Sequence, residues 1–152
     1  MTRNSLILTA AAGSAALLAG AFLFQALGYA PCQMCLWQRW PHAAAPLIGA
    51  AALATGHRAL ALLGAATLAI GAAIAIFHAG VEQGYWDGIT ACAGGVAAGQ
   101  SADDLFDQIM TAPLVRCDDI AWSFAGLSMA AWNAVLSLTL VAVWLAAFRR
   151  AS

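Results

Sequence analysis

The sequence predicts an all-α integral membrane protein: a four-transmembrane-helix bundle with a short amphipathic helix in its one long loop. Three observations predict it. Of 152 residues, 63% are apolar and only 9% are charged, whereas soluble domains run near half apolar and about a quarter charged. Four apolar stretches each reach the roughly 20 residues that a helix needs to cross a hydrocarbon core. The charges are also segregated along the chain, arginines mostly at three hydrophilic ends and acids in one loop. Six arginines and seven acids cannot cover the water-facing surface of a 15.6 kDa globule with a mean hydropathy of +0.82. A large soluble domain and a disordered chain are therefore excluded. So is a nucleic-acid binder, because the net charge is −1 and the chain has no lysine. Residues 1–152 read as a single membrane domain.

The expected spans cover about 5–27, 36–55, 59–79 and 126–148. Irregular backbone in lipid would leave peptide groups unsatisfied, so each span reads as a helix. In the first, Arg3 precedes an apolar run and Ala19-Gly20-Ala21 resembles a cleavage site. The run continues through Phe22-Leu23-Phe24 to Leu27, however, which is too long for a signal peptide and makes it a retained helix. Gly64 and Gly71 stand two turns apart in the third stretch, where small residues let membrane helices approach closely.

Arg3, Arg58, Arg149 and Arg150 fall on the N-terminal tail, the turn Thr55-Gly56-His57-Arg58 and the C-terminal tail. With four spans these share one side, which the positive-inside rule makes the cytoplasm. Arg39 and Arg116 fall on the other side, together with all seven acids, from Glu82 to Asp119. Tyr29, Trp37, Trp40, Tyr85, Trp86 and Trp122 cluster at the outer ends of the spans, as an interfacial belt does.

The loop at about 80–125 is rich in glycine, which predicts flexibility. Within it Ser101 can cap a helix that carries acids in its first turn. Leu105 with Ile109, and Phe106 with Met110, then make an apolar face at i, i+4 spacing. This is the expected amphipathic helix, lying on the outer membrane surface.

Cys32, Cys35, Cys92 and Cys117 all map to the outer side. An even count on an oxidising side favours disulfide chemistry, although four cysteines allow three connectivities. Cys32-Gln33-Met34-Cys35 is a Cys-x-x-Cys motif, a spacing that favours redox activity over a structural role. Were these two to pair, Cys92 and Cys117 would form the second pair. A four-thiolate zinc site wants two close pairs, and the second is far too wide, so no metal is expected. A c-type haem needs His directly after the second cysteine, where Leu36 stands.

If the second helix starts near Cys35, Arg39 lies one turn along the same face. The helix N-terminus and this arginine would both favour a thiolate at Cys35, and the thiolate is the nucleophile. An arginine at the headgroup edge also snorkels. Pro41 and Pro46 can kink the segment, or move its start to Pro41. His42 and His78 fall near the outer ends of the second and third spans, where two histidines form a possible ligand pair for a b-type haem. A four-helix haem electron carrier is thus the competing functional reading.

These residues resemble a known family. Pro31-Cys32-Gln33-Met34-Cys35-Leu36-Trp37-Gln38-Arg39-Trp40-Pro41-His42 is similar to the start of the second helix of the DsbB family, the disulfide bond formation proteins B of bacterial inner membranes. The stretch from Cys117-Asp118-Asp119 through Trp132-Asn133 resembles the entry to that family's fourth helix. The resemblance implies a thiol:quinone oxidoreductase that re-oxidises a periplasmic DsbA-like protein of thioredoxin fold, with both termini cytoplasmic and the cysteines periplasmic. The DsbA–DsbB–quinone system keeps the bacterial periplasm oxidising. By the same resemblance the partner's thiolate attacks Cys92, and Cys117 exchanges with Cys32. Cys35 then engages a quinone, ubiquinone or menaquinone, with Arg39 on a quinone oxygen and His42 beside it.

The physical chemistry asks for such a layout. A quinone is confined to the bilayer and a protein dithiol to water, while thiol–disulfide exchange requires direct sulfur contact. One cysteine pair on a mobile loop and one at the membrane edge form a relay between them. No Gly-x-Gly-x-x-Gly motif for a soluble dinucleotide is present.

Overall fold

The computed structural model describes residues 1–88, 101, 106 and 115–150. Cys92 and most of the expected amphipathic helix at 101–110 lie outside the described residues. Among the described residues four long helices run as α1 (Arg3–Ala26), α2 (Gln33–Thr55), α3 (Ala59–Glu82) and α4 (Met129–Arg149). Consecutive helices pack side by side, and α1 closes against α4. Three of them, α1, α3 and α4, are long and apolar enough to cross a membrane by length and composition. α2 matches them in length but carries Gln33, Gln38, Arg39 and His42.

Three of the helices start where a side chain can serve their free N–H groups. Thr2 Oγ1 accepts from Ser5 N–H in α1, and Ser128 Oγ accepts from Ala131 N–H in α4. The cap of α2 is a sulfur: Cys32 Sγ accepts from Cys35 N–H at 3.3 Å. α2 ends on Gly56 in the left-handed region (φ 72°), which folds the chain straight into α3.

α2 neither begins at Pro41 nor breaks at either proline. A proline at position i deprives the carbonyl of residue i−4 of its donor. For Pro46 that carbonyl belongs to His42, and the hydroxyl of Ser14 on α1 lies 3.4 Å from it. Pro41 seats against Gly71, where an added Cβ would come within 3.0 Å of the ring.

One feature departs from an all-α expectation. Ahead of α4 the chain forms a two-stranded hairpin, β1 (Ser123–Phe124) and β2 (Leu127–Ser128), paired antiparallel with Phe124 opposite Leu127. Ala125 and Gly126 both take positive φ (51° and 80°), as a two-residue primed turn requires. The fourth helix therefore starts at Met129 rather than near 126. Trp132 Nε1–H fastens the hairpin to the helix through Phe124 O at 3.0 Å.

The packing is inside-out relative to a soluble protein. Leu47, Leu63, Ile70, Ile76 and Leu138 face outward, while Ser14, Gln38, His42, His78 and Ser137 are buried. Such a large apolar exterior suits lipid and not water. The central core joins Ile7, Ala45, Ala61, Leu68 and Leu140 around Trp144. Gly64 admits that indole, since a Cβ there would come within 2.7 Å of its ring carbons. The expected close approach at Gly64 and Gly71 is thus to Trp144 and to Pro41.

Candidate redox site

The mouth of the bundle at the α2 N-terminus gathers the sulfur chemistry. Cys32 Sγ and Cys35 Sγ are 3.0 Å apart, about an ångström from the length of an S–S bond. The helical turn brings this about, because residues three apart lie on one face. Cys117 is buried in the same cluster, with Cys32, Met34 and Val81. Arg116, beside it, pairs with Asp118 at 3.0 Å and with Asp119 at 3.8 Å. That guanidinium holds the Asp118 carboxyl below its usual range.

Cys35 is the sulfur of the pair that accepts, as expected, but it does so from Cys32 Sγ and not from the helix N-terminus. The free N–H of that turn points at Cys32, the capping residue, and not at Cys35. In the closed pair the Cys32 thiol is pushed up to about 12, first by its hydrogen bond with Cys35 and then by burial, while His78 pulls the other way. Cys32 Sγ–H donates to Cys35 Sγ, so of the two sulfurs it is Cys32 that keeps the proton.

Arg39 also differs from its expected place. Its guanidinium turns toward α1, where Nη1 donates to Gln25 Oε1 at 2.7 Å and Nη2 to Ala21 O at 3.4 Å. It lies 4.8 Å over the Phe22 ring. Its bonds therefore run to α1 and not to Cys35. Its Nε–H is buried without a partner.

Between these groups a cavity of about 490 Å³ opens, bounded by Leu17, Phe24, Cys35, Arg39, Trp132 and Leu136. Phe24 packs edge-on against Trp122 at 5.1 Å and against Tyr29 at 5.6 Å, forming an aromatic rim. Apolar walls, a sulfur and an orphaned N–H donor fit a flat, lipid-soluble carbonyl compound such as a quinone.

His42 and His78 belong to one buried chain of hydrogen bonds across the four helices. Cys32 Sγ lies 3.5 Å from His78 Nε2, and His78 Nδ1 lies 3.0 Å from Gln38 Nε2. Gln38 Oε1 accepts from Asn133 Nδ2 at 2.6 Å. Asn133 Oδ1 meets His42 Nε2 at 2.9 Å, and His42 Nδ1 meets Ser14 Oγ at 2.8 Å. Every nitrogen of both rings is thereby engaged within the protein, which leaves none for a haem iron. The haem-carrier reading loses its ligands. For the same reason His42, expected beside the cofactor, lines the cavity with its ring and not with a spare nitrogen.

Cys32, Cys35 and His78 offer donor atoms within 4.8 Å of one another. Metal ligation through Nε2 of a neutral imidazole requires an acceptor for Nδ1–H. Gln38 presents its NH₂ there instead, so the arrangement is unsuited to a metal.

Sequence reasoning missed Ser14, Gln38, Glu82 and Ser137 as parts of this network. A polar side chain inside an apolar helix is the signal that marks them. Glu82 sits i+4 from His78, with Oε1 3.8 Å from Nε2, and Ser128 Oγ–H donates to it.

Fold and site together define a helical membrane protein with a dithiol at one end and an apolar cavity beneath it. The family model described as disulfide bond formation protein DsbB matches residues 3–147, and the chain belongs to that family. Membership makes it a membrane oxidoreductase of disulfide bond formation, in a family that is linked to quinones and to DsbA-type partners. No curated protein and no solved structure matches the chain.

Proposed function

We propose that the chain is a thiol:quinone oxidoreductase of the bacterial inner membrane that re-oxidises a DsbA-like dithiol protein in the periplasm. The observation that carries this reading is the Cys32–Cys35 pair, at 3.0 Å, opening on an apolar cavity that the Arg39 side chain helps to line. All four helices span the bilayer, α2 shielding its polar side chains within the bundle, and both termini are cytoplasmic. Cys32, Cys35, Cys92 and Cys117 are the redox residues. The partner's thiolate attacks Cys92, and Cys117, already packed against Cys32, exchanges with it and frees Cys35.

The bound quinone supplies the two-electron acceptor that makes net disulfide formation downhill. The chain's own residues do the rest. Apolar walls exclude water, Arg39 donates to a carbonyl oxygen, and Cys35 stands at the cavity edge. His42 keeps the inner wall in place through Ser14 and Asn133. The test is oxidation of a reduced DsbA-type protein by the purified chain, followed as loss of free thiols with and without added ubiquinone or menaquinone. Catalytic turnover that requires quinone is the expected result. A thiol loss that never exceeds the two disulfides carried by each chain, at every quinone concentration, would refute the proposal.

A further inference from the structure

The buried hydrogen-bond chain has a direction, set by one backbone carbonyl. Gln38 Nε2 donates to Met34 O at 3.2 Å. A carbonyl only accepts, so the NH₂ end of this amide is pinned on that side. Its second N–H then points at His78 Nδ1, 3.0 Å away, and Nδ1 must be the bare, accepting nitrogen. The proton of the neutral ring therefore sits on Nε2, which faces Cys32 Sγ at 3.5 Å. The far end agrees. Asn133 Nδ2 donates to Gln38 Oε1, which turns Asn133 Oδ1 toward His42. His42 is thereby also an Nε2–H ring, and its Nδ1 accepts from Ser14.

We propose that Gln38 is a positioning residue that locks His78 as the Nε2–H tautomer, so that Cys32 meets two N–H donors whenever its sulfur is displaced from a disulfide. This rests on the relay proposed above. The donors are His78 Nε2–H and Cys35 backbone N–H, at 3.5 and 3.3 Å. Once Cys117 is joined to Cys32, the Cys92 thiolate attacks Cys117 and forms the new Cys92–Cys117 bond. The old bond breaks, and its electron pair stays on Cys32. No proton moves at that moment; the two N–H groups stabilise the new thiolate by hydrogen bonding. Glu82, 3.8 Å from the same Nε2, competes for that N–H once the sulfur is protonated or bonded. While Cys35 is free it hydrogen-bonds Cys32 and masks the effect, which therefore emerges when Cys35 is engaged elsewhere.

Two measurements on the full-length protein test this without quinone or partner. The first is histidine-selective ¹⁵N NMR in lipid nanodiscs. His78 and His42 should each show a protonated Nε2 and a bare Nδ1. Gln38→Glu should place a proton on His78 Nδ1, and Gln38→Leu should give a mixture of tautomers. The second follows alkylation of Cys32 against pH in a Cys35→Ala, Cys92→Ala, Cys117→Ala background. The titratable group that meets Cys32 there is His78, with Glu82 beside it on α3, while Arg116 and Asp119 line the same cavity. His78→Leu should raise the alkylation midpoint by about one to two pH units, the loss of one charge-assisted hydrogen bond. His78→Gln, which keeps an N–H donor, should recover part of that shift. A protonated Nδ1 with bare Nε2 in the unsubstituted His78 would overturn the proposal, as would an alkylation midpoint indifferent to His78→Leu. Either result can arise while quinone-dependent turnover persists. Conversely, turnover can fail with the tautomer as expected, so the two proposals stand or fall separately.

Discussion

Replacing Arg39 with alanine removes three things at once: the 2.7 Å bond to Gln25, the cation over Phe22 and the guanidinium side chain that lines the cavity. The first two hold the guanidinium where it can serve as the proposed donor to a quinone oxygen. A hydrogen bond to a charged group contributes roughly 1.5–3 kcal/mol. Losing the donor should therefore weaken quinone use by about ten- to a hundredfold. Arg39→Lys keeps the charge and can still reach Gln25, but it has no planar fork and no Nε–H, so it should fall between wild type and alanine. Gln25→Leu keeps the donor while freeing the arginine to wander, and should cost less than Arg39→Ala. The assay is steady-state thiol oxidation against quinone concentration, paired with single-turnover exchange in the absence of quinone. Exchange should be nearly untouched, because the bonds of Arg39 run to α1 and not to a sulfur. An unchanged quinone KM and kcat in Arg39→Ala would reduce this residue to a membrane anchor and refute the reasoning.

Four further outcomes are expected. Gly64→Leu drives a side chain into the Trp144 indole, where even a Cβ would be at 2.7 Å; it should destabilise the bundle by about 1–3 kcal/mol, read as a lower thermal midpoint in detergent. Ser14→Ala removes the donor to His42 Nδ1, at about 1–3 kcal/mol, read as a lower midpoint in denaturation. Cys117→Ser leaves Cys92 a lone thiol that should attack the oxidised partner's disulfide and accumulate as a mixed disulfide, and mass spectrometry finding the partner on Cys32 would reverse the proposed order. A periplasm-active reporter should work when fused after Gln100 and be silent after Arg150; the opposite pattern would invert the topology.

The helices were legible because hydropathy and charge segregation are sums along the chain, and lipid penalises any polar stretch wherever its neighbours lie. The Cys32–Cys35 pair was legible for a similar reason, since a three-residue step on a helix brings two sulfurs together without help from elsewhere. The cap at Cys32 was harder to read. That α2 began at Gln33 and ran through Pro41 rested on the sulfur cap at Cys32 and on the room that Gly71 of another helix leaves for the proline ring. The primed turn at Ala125-Gly126 left only its glycine as a sign, because Ala125 takes positive φ under the hold of Trp132 on Phe124 O.

Composition and local order along the chain were enough for a membrane protein of spanning length, its charge asymmetry, its close dithiol and its resemblance to the DsbB family. Each of these is carried by sums over residues or by residues near one another in the chain. What the polar residues inside the spans do was settled by the packed bundle alone. Arg39 reaches back to α1, His42 pairs with Asn133 some 91 positions away, and Gln38 orients His78 across 40. Buried polar groups must find partners, and in a bundle those partners come from facing helices whose angular registers no single span encodes.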